Sequence, residues 1–292
     1  MTTTLAPLAT TEVRLLSRDW GTMLFAFVMP PLMLMVLGGV FGDQPDEGFG
    51  GVLPSDYYVA AYIGIPMAAL ALIGLPVMLA LALVIAFVIH DGVRSRRLSA
   101  VYRSLVFLPF VLSIVVVGRI LSIFLRSDGP LNGFANTLGW GLDTAWLGNS
   151  DWALPSVGGV IVWREFGLGV VLFLARLASA PEELFEAAKV EGASWWQTLR
   201  HVAIPQLYST IAFWTLLNVI VMFSWVFNYV YVLTKGGPGS ATTVMELEIY
   251  EWATTRDQPN IAAAMATMLL VLVALFIVGQ SVLRKRLLRE TA

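Results

Sequence analysis

Five residues between Glu186 and Pro205, in the stretch EAAKVEGASWWQTLRHVAIP, have the types and spacing that suit docking onto another protein. Glu186, carried on a helix, can accept a charge-assisted hydrogen bond from an arginine or lysine of a partner. Ala187 and Ala188 are small enough to let that partner approach closely. Gly192 supplies a helix stop and a turn at which a Cβ is expected to clash, and Pro205 is expected to halt the short helix that follows. A second group, Asn218, Ser224, Trp225, Asn228, Tyr229 and Tyr231, combines amides with aromatic rings. Rings stack on the apolar faces of sugars and amides satisfy hydroxyls, so these residues are candidates for a solute pathway. The same residue types also join helices inside a bilayer, at about 0.6 kcal/mol each. Arg164 and Glu165 are adjacent charges in an apolar run, placed to snorkel to a membrane edge or to pair with each other.

Other chemistries are excluded. With no cysteine, the chain has no disulfide, thiolate metal site or cysteine nucleophile. His90 and His201, the only two histidines, lie far apart and match no zinc spacing. No GxxxxGK[ST] run occurs, so ATP is not bound here through a P-loop. The reading is of a non-enzyme: no metal, no cofactor in this chain, no covalent step and no nucleic-acid partner.

The elements that must position these residues are membrane spans. Of the 292 residues 58% are hydrophobic and 13% charged, with a mean hydropathy of +0.77, outside the range of ordinary soluble domains. Apolar runs predict about six transmembrane helices in an all-α integral membrane protein, near 21–41, 57–89, 104–125, 156–177, 207–233 and 261–283. Positive charge divides unevenly. Thirteen lysines and arginines fall at the N-terminus, after the second span, around residues 176–200 and at the basic tail 284–292. Arg126, Lys235 and Arg256 lie on the other side, and this asymmetry puts both termini and the docking stretch in the cytoplasm of a multi-pass plasma-membrane protein. Between spans four and five the pattern predicts a helix–Gly–helix knob, opened by a capping box at Ser179–Glu182 and with Leu184, Ala187, Ala188 and Glu191 at helical spacing along its first helix. Its second helix is expected from Ser194 to about His201.

The docking stretch resembles the EAA loop of importer permeases of the ATP-binding cassette (ABC) family: E-A-A, three residues, G, nine residues, then I-x-L-P. Glu186, Ala187, Ala188, Gly192 and Pro205 match it outright, and Val202 and Ile204 are conservative replacements. From about residue 81 onward the chain resembles carbohydrate-importer permeases of the maltose and glycerol-phosphate type. Residues 102–109 (YRSLVFLP), 128–132 (DGPLN) and 231–239 (YVLTKGGPG) carry that likeness. The resemblance implies an importer transmembrane domain over 81–283, with the EAA loop at 179–206 coupling it to ATPases. It implies a second permease subunit, two cytosolic ATPase subunits that bind ATP and Mg, an extracytoplasmic solute-binding protein and the membrane lipid as partners. Sugar or polyol import by alternating access follows. Residues 1–80 resemble instead the first spans of ABC-2 type exporter permeases, with a junction near Ala80; an exporter permease or a non-transporting fusion product is the alternative this leaves.

Overall fold

A computed structural model describes residues 70–93 and 95–289, all helix and connecting turn. The first span and the acidic loop before the second lie outside the described residues. One turn of π-helix, Leu70–Gly74, leads into α1 (Leu75–Gly92). Then come α2 (Arg96–Val111), α3 (Ile114–Phe124), α4 (Pro130–Thr137) and α5 (Ser150–Leu177). Short helices α6 (Glu182–Val190) and α7 (Trp195–Thr198) follow, and a second π-helical turn, Leu199–Ala203, joins them to α8 (Ile204–Ser224). The chain ends with α9 (Val226–Leu233), α10 (Met245–Thr254) and α11 (Pro259–Arg289).

Among the described residues, three stretches are long and apolar enough to cross a bilayer: Leu70–Gly92, Ser150–Leu177 and Trp195–Met222. A fourth crossing results if α2 and α3 form one broken span. Only helices meet this requirement without a closed sheet, because every backbone N–H and C=O must find its partner within the segment.

The third expected span is therefore not one helix. Its backbone turns extended at Leu112 (ψ 145°) and Ser113 (ψ 131°). Pro109, inside α2, lacks the N–H that would pair with residue 105, and β-branched Ile114 to Val117 restart the helix beyond the break. The fifth span is likewise divided: Trp225, at φ −129° and ψ −8°, separates α8 from α9. The long loop expected over 126–155 contains α4, which Pro130 opens at a first-turn position. There Asn132 donates to the carbonyls of Ser127 and Thr144, and accepts from Trp146 Nε1 at 2.7 Å.

The described chain forms two compact units. Residues 75–112 and 162–218 make one, with a core of Phe87, Phe173, Leu174, Leu207 and Trp214. In it Phe173 and Trp214 meet edge to face at 5.8 Å, and Gly167 lies so close to the Val106 carbonyl that a Cβ would overlap it. The other unit holds residues 70–74, 113–161 and 219–289 of the described chain, cored by Val117, Val157, Val160, Val230, Val244 and Leu247.

Candidate functional site

The docking knob is built as helix, turn, helix, though not from the expected parts. The capping box predicted at Ser179–Glu182 does not form: Pro181 is the N-cap of α6 and makes no side-chain bond to the helix. Ser179 Oγ bonds instead to Arg176, donating to its carbonyl at 2.8 Å. Glu182 and Glu183 still occupy the first turn, where the helix dipole favours negative charge, and Lys189 occupies the last. A complete capping box lies fifteen residues downstream of Ser179, at Ser194. Gln197 N–H donates to Ser194 Oγ, and the Ser194 N–H donates to Gln197 Oε1 at 2.7 Å.

Gly192 ends α6 through a Schellman motif. The Ala193 N–H bonds the Ala188 carbonyl at 3.0 Å and the Gly192 N–H bonds that of Lys189 at 3.1 Å. The geometry needs φ +76° at Gly192. No atom lies within 4 Å of where a Cβ would stand, so the expected clash is absent and only the backbone conformation demands glycine. Pro205 does not halt the second helix. It is the second residue of α8, and the π-helical turn before it, with Ile204 N–H bonding Leu199 carbonyl, accommodates a residue that cannot donate to His201. The helix thus runs from Trp195 through Ser224 without interruption.

The buried side of α6 is Phe185 and Ala188, while Leu184, Ala187 and Glu191, at helical spacing in the sequence, are exposed. Leu184 is 41% exposed, Val190 89% and Trp196 65%, while Glu186 and Ala187 face outward beside them. Pro205 is half-buried. The knob therefore presents an apolar patch with one carboxylate at its edge.

The solute-pathway candidates have unlike surroundings. Asn218 is buried and donates to the Trp214 carbonyl at 2.9 Å, and Tyr229 is buried at 2% exposure. Trp225 (58% exposed), Ser224 and Tyr231 (39%) are open, and Asn228 is half-buried against the Trp225 carbonyl. The break at Trp225 interrupts the stripes that a continuous helix would have given. Two rings absent from the sequence reading, Phe227 and Tyr250, cluster with Tyr231, with centroids 5.2 to 5.4 Å apart. Phe227 shares the short helix α9 with Tyr231, but Tyr250 comes from α10, which no periodicity in the sequence ties to it.

Arg164 and Glu165 pair with each other rather than snorkel. Arg164 Nη1 bonds Glu165 Oε1 at 2.6 Å, with 16% and 7% of the two side chains exposed. Arg164 Nη2 also donates to the carbonyls of Phe110 (3.0 Å) and Leu112 (3.2 Å), and the guanidinium lies 5.5 Å from the Phe110 ring centroid. Those carbonyls close α2, where helical partners run out and the dipole is negative. One cation thus caps the end of α2 at the break.

Described residues that are all helix and turn, with long apolar helices carrying few charges and a helix–turn–helix knob between two of them, have the character of a membrane permease. A family model for the inner membrane component of binding-protein-dependent transport systems matches residues 78–289, and the chain belongs to that family. Among curated relatives, the permease YurN of Bacillus subtilis is 33% identical over 65% of this chain and 65% of its own length. The diacetylchitobiose uptake permease NgcF of Streptomyces coelicolor is 30% identical, covering 90% of this chain and 82% of its own. The multiple sugar-binding transport permease MsmF of Streptococcus mutans is 28% identical over 94% and 98%. A crystal structure of a bacterial alginate ABC transporter, bound to a periplasmic protein carrying an alginate pentasaccharide, has a chain that superposes at a TM-score of 0.67 with 22% identity. That match covers 94% of this chain and 96% of the other, and it shows a common fold. Among the described residues no group of His, Asp or Glu is placed to hold a metal ion.

Proposed function

We propose that this permease subunit imports a sugar or related polyol, and that Glu186, Ala187, Ala188, Gly192 and Pro205 form its coupling element to cytosolic ATPase subunits. The observation that carries the coupling reading is the knob itself. A polar helix–Gly–helix exposes Leu184, Val190 and Trp196 around Glu186, which is the chemistry of a docking face with an apolar centre and a charged rim. The sugar reading draws on the names of NgcF, MsmF and the lactose permease LacF of Rhizobium radiobacter. In the full assembly a second permease, two ATPases that bind ATP and Mg, and an extracytoplasmic solute-binding protein complete the machine. The residues 179–206 and both termini face the cytoplasm, and ATPase closure on the knob switches the spans between outward-open and inward-open. Asn218, Ser224, Trp225, Asn228, Tyr229 and Tyr231 are assigned to the solute pathway.

The test separates docking from transport. At matched membrane expression, Glu186→Lys and Gly192→Val lower co-purification of the ATPase subunits several-fold, whereas Asn228→Ala retains it and changes solute uptake. Normal co-purification by both knob variants sinks the coupling assignment.

A further inference from the structure

Three residues at the end of α1, to which the docking reading gives no part, hold the knob from behind. Asp91 Oδ1 accepts from Lys189 Nζ at 2.7 Å. The His90 ring packs on Phe185 with centroids 5.0 Å apart, and Phe87 packs on Trp195 at the same distance. Phe87, His90 and Asp91 stand at i, i+3 and i+4, on one side of their helix. Their partners lie in the middle of α6, at its end, and at the first residue of α7, so both sides of the Gly192 turn are held to a single helix. Phe87 is 1% exposed and Phe185 7%, so the rings form a closed seam. The Asp91–Lys189 pair is solvent-facing, with 29% and 62% of its side chains exposed, so it adds orientation more than stability.

From this geometry we infer that Phe87, His90 and Asp91 are positioning residues that make α1 and the docking knob one rigid body. Three separate contacts remove rocking and sliding together. A push on the outward patch of Leu184, Val190 and Trp196 is therefore delivered to α1 as well as to the helix that leads into α8. The inference rests on the proposal that an ATPase docks on the knob. It adds a second route by which ATPase motion enters the spans.

The cysteine-free chain permits a direct measurement. Single cysteines at exposed Val88 and Glu183, the latter on α6 outside the outward patch, carry spin labels in the assembled complex in nanodiscs. Their separation is read by pulsed electron paramagnetic resonance, without nucleotide and after vanadate trapping. The expected result is one narrow distance distribution, unchanged between the two states. Asp91→Lys, which sets two cations face to face, broadens it, and the exchange Asp91→Lys/Lys189→Asp narrows it again; Phe87→Ala broadens it further. A separation that differs between the two states in the otherwise unaltered chain, or an Asp91→Lys distribution as narrow as before, overturns the inference. The outcome is distinguishable from failure of docking. If Glu186→Lys loses the ATPases while the label distance shifts, the rigid link falls and docking stands. If Glu186→Lys keeps the ATPases, docking falls, and with it the premise of the link.

Discussion

At the scale of single residues, two positions show how the same chemistry reads differently once neighbours are known. Gly192 has open space around its missing side chain and a positive φ, so the penalty for replacing it is conformational only. Gly192→Ala should cost about 1 kcal/mol of knob stability, and Gly192→Asn distinctly less, because asparagine tolerates the left-handed region. Hydrogen exchange of the amides of 192 and 193, whose bonds close the motif, resolves the two; equal losses would show that bulk and not φ decides. Arg164 is the opposite case, held by the Glu165 carboxylate, two backbone carbonyls and the Phe110 ring rather than by its own backbone. Arg164→Leu leaves Glu165 buried beside uncapped carbonyls and should cost about 3 kcal/mol or more, while Arg164→Leu/Glu165→Leu recovers much of it. Thermal unfolding of the detergent-purified protein measures both, and a double variant no better than the single would show that the carbonyl caps matter more than the pair. The type of each residue was readable in the sequence, and so was Glu165 as the neighbour of Arg164. The carbonyls of Phe110 and Leu112 were not, because they are more than fifty positions away and become acceptors only where α2 breaks.

At the scale of elements, α10 carries a titration. Both carboxylate oxygens of Glu246 are buried and, among the described residues, accept no hydrogen bond from another residue. Burial pushes its carboxyl up to about 7, with only its own backbone favouring the charged form. A carboxyl whose pKa is higher folded than unfolded favours the fold most below the unfolded value of 4.5, and that contribution is lost as pH rises through about 7. The displacement corresponds to about 3 kcal/mol at most. Unfolding followed at pH 5 and pH 9 should show Glu246→Gln matching the parent at the acid end and exceeding it at the alkaline end. A variant no more stable at pH 9 removes the buried carboxylate from the account. Elements were legible where period and punctuation agreed: Gly192 stops α6, and the apolar runs of α1, α5 and α8 are helices of membrane-crossing length. They were illegible where a tertiary contact decides, as at Ser179, whose hydroxyl turns back to Arg176 instead of capping the helix ahead.

At the scale of the whole chain, hydropathy was enough to specify a multi-span membrane protein, because a bilayer restricts the possible structures so strongly, while the family was legible only in the motif from Glu186 to Pro205 and the stretches like it. Finer arrangement depends on where helices break, and that followed from local packing. Sidedness remains to be measured. Cysteines placed singly at Ser194 and Ser240 should label from opposite sides of intact cells, Ser240 with an impermeant maleimide and Ser194 only after permeabilisation; labelling from one side overturns the six-span arrangement. A different consequence follows from the wide turn at Leu199–Ala203. A π turn carries one residue more than an α turn, so it advances the phase of everything beyond it by about 100°. Leu199, Ala203, Leu207 and Ile211 are all buried across it, so the seam of the span is drawn straight through the shift. Deleting a single residue there would restore ordinary winding with the direction of Trp195 and Trp196 nearly kept, whereas the same residues wound as α-helix would swing both rings about a quarter-turn around the axis. The aim of the knob is thus a discrete setting, counted in residues.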